Sequence, residues 1–120
     1  MEYLEIIIKL IISLSVLNVW LLRADKPTEW RGANAASLKD EFEAYGLSAG
    51  VMKVVGFVKI VLALMILASI FYPPIEEIGA IGMAIMMLGA IAMHIKIKDE
   101  LKRSLPAFIF LSLSVIILFL

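Results

Sequence analysis

Residues 50–97 read GVMKVVGFVKIVLALMILASIFYPPIEEIGAIGMAIMMLGAIAMHIKI, and this stretch decides the fold. It holds two apolar runs, about Gly50–Tyr72 and about Ile75–Ile97, broken once at Tyr72-Pro73-Pro74. Each run has the length of a membrane-spanning helix, which takes about 20 mostly apolar residues. Proline lacks the backbone N–H and restricts the residue before it, so neither helix continues through the corner. The chain turns back there, and the two helices are antiparallel neighbours.

The flanks extend the pattern. A short polar connection, Lys98-Asp99-Glu100-Leu101-Lys102-Arg103, leads to a further apolar run from about Leu105 to Leu120. Ser104 stands where an N-cap belongs, and Pro106 falls in the first turn, where its missing N–H costs little. At about 1.5 Å per residue this run reaches roughly 24 Å. It spans a bilayer only with little tilt or with local thinning. On the other flank an apolar run covers about Tyr3–Leu22. Its start, Met1-Glu2-Tyr3, has no basic region and no small-residue cleavage site follows, so a permanent helix is expected rather than a cleaved signal. The expected fold class is all-α: an integral membrane, antiparallel four-helix bundle, one transmembrane domain over residues 1–120.

Composition points the same way. The chain has 120 residues, 62% of them apolar and 18% charged, with a mean hydropathy of +1.01. Soluble domains average about 45–50% apolar and about 25% charged, so a water-soluble globule is excluded, as is disorder. Eleven basic residues balance 11 acidic ones, which argues against nucleic acid as a main partner. Without cysteine there is no disulfide, thiolate nucleophile or iron–sulfur cluster. No nucleotide loop, zinc-protease helix or Ser/His/Asp set occurs, so no autonomous catalytic constellation and no metal site is expected.

The connection from Arg23 to Ala49 is longer than a plain loop, so a structured element is expected in it. Ser37-Leu38-Lys39-Asp40 has the form of a capping box, and Gly46 is a natural stop. Between them Leu38, Phe42 and Tyr45 fall on one stripe, with Lys39, Asp40, Glu41 and Glu43 elsewhere. This predicts a short interfacial helix over about 37–46 that lies at the membrane surface or covers the bundle mouth.

Arg23, Lys26, Arg31, Lys39, Lys96, Lys98, Lys102 and Arg103 all flank the side of the 23–49 and 98–104 connections. The opposite side carries Glu2, Glu76 and Glu77 and no flanking Lys or Arg. The bias places both connections in the cytoplasm and both termini outside, in an inner (cytoplasmic) membrane. Trp20 and Trp30 at one interface, with Phe71 and Tyr72 at the other, fit aromatic belts.

Small residues mark helix contacts. Gly79, Gly82, Met86, Gly89 and Met93 form one stripe; Gly56, Ile60, Ala63 and Leu67 form another. A close contact between these two stripes is expected, with Gly56, Ala63, Gly79, Gly82 and Gly89 as packing residues.

Ionisable groups within spans are expensive, so each is weighed for function. Lys59 lies deep in the second span, and no carboxylate in the second, third or fourth span is placed to pair with it. It either binds an anionic or carbonyl-bearing ligand, such as a quinone or lipid head, or reaches back toward the loop side or is held by backbone carbonyls. Lys53 lies nearer the interface, where snorkelling accounts for it. His94 shares a stripe with Met83, Met87 and Ala90 near the same end. It serves as a buried structural histidine or as a ligand contact; copper is the weakest reading, because methionines at this spacing mostly pack. Glu5 and Lys9, four apart, form a local pair at the far end, and Asn18 offers an interhelical hydrogen bond or joins the Lys59/His94 group.

The stretch Lys53-Val-Val-Gly56-Phe-Val-Lys59, with Gly89-Ala90 and His94, resembles the DoxX-like family of small four-span membrane proteins. So does the first connection: Trp20-Leu-Leu-Arg23, Lys26-Pro27, Trp30-Arg31-Gly32 and Glu43-Ala-Tyr45-Gly46-Leu47. The resemblance implies a four-helix membrane protein, mostly bacterial. It also implies relatives tied to quinone-dependent oxidation of sulfur compounds or to oxidative stress, and a distant animal branch that assists receptor assembly. No activity carries over residue by residue. The expected function is a non-catalytic accessory or binding protein that holds a lipid-soluble ligand or a partner membrane protein. The ligand site is expected at Lys59, His94, Lys53, Asn18 and Tyr45, covered by the 37–46 helix. The alternatives are the membrane subunit of a quinone-linked oxidoreductase, with quinone as the one cofactor considered, and a small transporter working as a homo-oligomer.

Overall fold

The computed structural model describes residues 2–22, 35–99 and 101–120. Arg23, Lys26, Trp30 and Arg31, which entered the orientation and family readings, lie outside the described residues, as does Glu100. The helices are α1 (Glu2–Leu17), α2 (Leu38–Ala44), α3 (Ala49–Ala68), α4 (Glu76–Lys96) and α5 (Leu105–Phe119). Among the described residues there is no strand. Four segments are long and apolar enough to cross a membrane: Tyr3–Leu22, Ala49–Ala68, Pro73–Lys96 and Leu101–Phe119.

The fold is therefore the antiparallel helical bundle that the sequence implies, and the differences are at the ends. The second span stops at Ala68, because residues 69–72 tighten into a turn in which Tyr72 N–H donates to Ala68 O at 2.9 Å. The last span is longer than expected, because a 3-10 turn, Leu101–Ser104, extends α5 backward. Ser104 stands at the N-cap of α5 but its side chain makes no capping bond; it is buried instead.

Around the bundle, α1 adjoins α3 and α5, and α4 also adjoins α3 and α5. The core runs along the middle: Ile8, Ile12 and Val16 of α1 meet Leu62, Ala63 and Ile66 of α3 and Met83, Met87 and Ile91 of α4. Large apolar side chains such as Phe57, Ile78 and Phe119 point outward. In water that would be a liability; in lipid those faces are solvated, and packing between helices comes from shape and small residues.

Gly79 and Gly82 supply the close approach of α4 to α3. A Cβ at Gly79 would lie 3.1 Å from Ile66, and one at Gly82 only 2.5 Å from Leu62. Ala63 is fully buried beside them. The expected pairing of the two stripes does not extend further. Gly56 faces Trp20 on the chain from α1, where a Cβ would lie 2.6 Å from the indole, and not α4. Gly89 faces open space, with nothing within 4 Å of a Cβ, and packs against no helix. At the end away from the corner the buried side chains of α2 pack against Trp20, against Met52 and Val55 of α3 and against Met93 of α4.

At the corner end lies a buried ionic cluster. Lys9 is only 4% exposed. Its ammonium is 3.3 Å from Glu5 and 2.8 Å from Glu76, and donates to Ser69 O at 3.4 Å. The Glu5–Lys9 pair is the helical i,i+4 contact of the sequence; Glu76 is added by the turn, which folds the start of α4 back onto α1.

Candidate functional site

The opposite end of the bundle holds a cavity of about 740 Å³. Four local structures build it, and each has a sequence cause.

The first is α2. Ser37 caps it, accepting from Asp40 N–H at 3.2 Å, as the capping box requires. Gly46 ends it at φ 81°, and Leu47 N–H returns to Phe42 O at 2.9 Å, the six-to-one bond of a Schellman turn. Leu38, Phe42 and Tyr45 are buried against Trp20, Met52, Val55 and Met93. Glu41 departs from the expected amphipathic pattern: it is 8% exposed and lines the cavity. Three residues after Leu38 and four before Tyr45, it shares their face by helical spacing.

The second is the end of α1, where Asn18–Leu22 widen into a π-helical turn. Such turns re-aim side chains. Trp20 packs edge-on against Phe42, with centroids 5.9 Å apart, and slides over Gly56, where only a glycine leaves room.

The third is Lys59, at the middle of α3. Its ammonium lies 5.5 Å from the Trp20 ring centroid, a cation–π contact. Glu41 lines the same cavity and is, among the described residues, the carboxylate whose charge reaches the Lys59 ammonium. Among the described residues it makes no hydrogen bond or ion pair.

The fourth is the end of α4. Lys98 takes a left-handed conformation at φ 57°, and Asp99 N–H donates to His94 O at 3.0 Å. This second Schellman turn swings the Asp99 carboxylate onto the ring: His94 Nδ1 to Asp99 Oδ2 is 2.9 Å. A carboxylate only accepts, so the Nδ1 proton is fixed toward Asp99, and Nε2 is left facing the Tyr45 hydroxyl at 3.5 Å. A ligand hydroxyl can replace Tyr45 as donor to Nε2, and a ligand carbonyl can accept from Tyr45 in place of Nε2. Lys96 ties the two helix ends together by donating to Tyr45 O at 2.8 Å, which also places a cation on the C-terminus of α2.

Of the residues expected at a site, Lys59, His94, Tyr45 and Asn18 all border this one cavity. Lys53 does not. It is exposed and borders a smaller hollow, of about 360 Å³, that shares Trp20 with the first. Gly89, expected in helix packing, lines the main cavity instead. Sequence reasoning missed Trp20, Glu41, Asp99 and Arg103. Helical spacing gave a usable signal for Glu41. For Asp99 none existed, because the turn that positions it carries lysine where glycine is usual. Among the described residues, no three His, Asp or Glu side chains come together as a metal site.

The fold and this site define a four-span helical membrane protein with a polar-ended cavity in one half of its thickness. The chain belongs to the DoxX-like family, whose model matches residues 30–117. No curated protein and no solved structure matches it.

Proposed function

We propose that this protein is a non-catalytic membrane component that holds a lipid-soluble molecule in the cavity beneath α2, with the polar head of that molecule at Lys59 and His94. One observation carries the reading: an ammonium at mid-helix faces a cavity of about 740 Å³ with an aromatic ring beside it and, among the described residues, no hydrogen-bonded acceptor. A half-buried cation gives up part of its hydration, and a ligand oxygen supplies the hydrogen-bonded partner that compensates it. The walls are mainly apolar, with a few convergent polar groups, which is the usual make-up of a small-molecule site. By the Lys/Arg bias, with Lys39, Lys96, Lys98, Lys102 and Arg103 on one side, the cavity lies in the cytoplasmic half of a bacterial inner membrane.

Native mass spectrometry of the detergent-purified protein tests this, with wild type beside Lys59→Met and His94→Ala. The expected result is a retained small molecule on wild type that both folded variants lose. A bare wild type, indistinguishable from equally stable variants, would sink the ligand reading and leave a scaffold for a partner membrane protein.

A second reading has its own support. The Tyr45 hydroxyl, 3.5 Å from His94 Nε2, can turn its proton to a quinone carbonyl, as in the membrane subunit of a quinone-linked oxidoreductase. That reading requires the retained mass to be a quinone and a redox partner to copurify.

A further inference from the structure

The chemical class of the head group follows from what each charged group at the cavity already has. Glu41 and Arg103 both interact with other groups, and Asp99 is engaged by His94 at 2.9 Å. Among the described residues the Lys59 ammonium has the Trp20 face, at 5.5 Å, and the charge of Glu41, but no hydrogen bond. A neutral carbonyl would supply hydrogen bonds to its three N–H donors but no charge. An anionic oxygen supplies both, and in a site walled by lipid and apolar side chains the charge is the larger gain.

The tail has a way out. Gly89 lines the cavity, is exposed, and meets nothing within 4 Å where a side chain would start. Ile85, one turn earlier, lines the same cavity and is 61% exposed on the lipid-facing side. The cavity therefore reaches the lipid surface of α4 beside Gly89.

Resting on the binding reading above, we infer that the cavity takes a single-chain amphiphile with an anionic oxygen head, a carboxylate or phosphate. The head pairs with Lys59, and the tail leaves toward the bilayer across Gly89. Lys59 selects the head; Gly89 admits the tail.

Trp20 is a built-in reporter, because the chain has two tryptophans and a Trp30→Phe background leaves Trp20 alone. The experiment uses the full chain in phosphatidylcholine nanodiscs, titrated with dibromostearate, whose bromines quench indole on contact. Dibromostearyl alcohol is the neutral match, and acetate, read by its relief of the quenching, is the anion without a tail. The expected result is a preference for the acid over the alcohol of roughly tenfold or more, with no response to acetate. Lys59→Met should abolish the preference and Lys59→Arg should restore it. Gly89→Phe should weaken the acid and alcohol alike while leaving displacement by short-chain octanoate intact.

Equal quenching by acid and alcohol, or a preference that survives in Lys59→Met, overturns the anionic head and leaves the binding reading standing. Binding of acetate alone, as tight as that of the acid, overturns the amphiphile in favour of a free anion. No quenching of Trp20 beyond that in a membrane-only control overturns both this inference and the binding reading. Unchanged acid affinity in Gly89→Phe overturns the exit route.

Discussion

Two lysines sit inside this bundle, and the protein treats them oppositely. Lys9, at the corner end, has Glu5 at 3.3 Å, Glu76 at 2.8 Å and a backbone carbonyl at 3.4 Å. Lys59, toward the end covered by α2, has an indole face at 5.5 Å and a cavity. The corner end is tightly packed, with Gly79 and Gly82 drawing α4 onto α3. At the other end a π-helical turn, a capped helix and a glycine without neighbours border the cavity. One end has spent its polar groups on holding the fold together. The other has kept a cation in reserve, which is the arrangement of a binding site.

The largest expected effect breaks the satisfied end. Lys9→Met leaves two carboxylates facing each other without their cation and should destabilise by about 3–5 kcal/mol, the range for removing one partner of a buried pair. Thermal unfolding in detergent measures it. A loss below about 1 kcal/mol would mean that the cluster is solvated and that the contrast between the lysines fails.

Overpacking comes next. Gly82→Leu should cost about 1–3 kcal/mol, because its side chain meets Leu62 on α3, whereas Gly89→Ala should gain about 0.5–1 kcal/mol from helix propensity. Equal effects at the two glycines would erase the difference between a closed and an open end.

Lys59→Met should change stability by less than about 1 kcal/mol in delipidated protein, since it removes no protein acceptor. A loss like that of Lys9→Met would make Lys59 structural. The smallest effect sharpens the account of His94. Lys98→Gly relieves a left-handed backbone at φ 57° and should stabilise by about 0.5 kcal/mol, with the His94–Asp99 bond intact. Observing the His94 Nδ1 proton by NMR in both forms checks the bond.

Much of this was legible in the sequence. The prolines at 73 and 74 fixed the antiparallel turn, because proline ends helices whatever surrounds it. The capping box at Ser37 and the stop at Gly46 gave α2, because caps act locally. Lys59, His94, Tyr45 and Asn18 were legible as a group, since topology places all four toward one end. What was not legible depends on angles between helices. Glu76 reads as an interface residue until the turn folds it onto Lys9. Trp20 reads as part of an aromatic belt until the π-helical turn aims it at Lys59. Gly89 reads as packing because periodicity reports a face and cannot tell whether another helix reaches it.

The most direct measurement is thermal unfolding of wild type and Lys59→Met, each before and after exhaustive delipidation. A molecule bound to the folded state raises its melting temperature, and its removal lowers it. Wild type should fall by roughly 3 °C or more on delipidation, Lys59→Met should hardly move, and the two should then melt together. An equal fall in both proteins would contradict the assignment of Lys59 to a ligand.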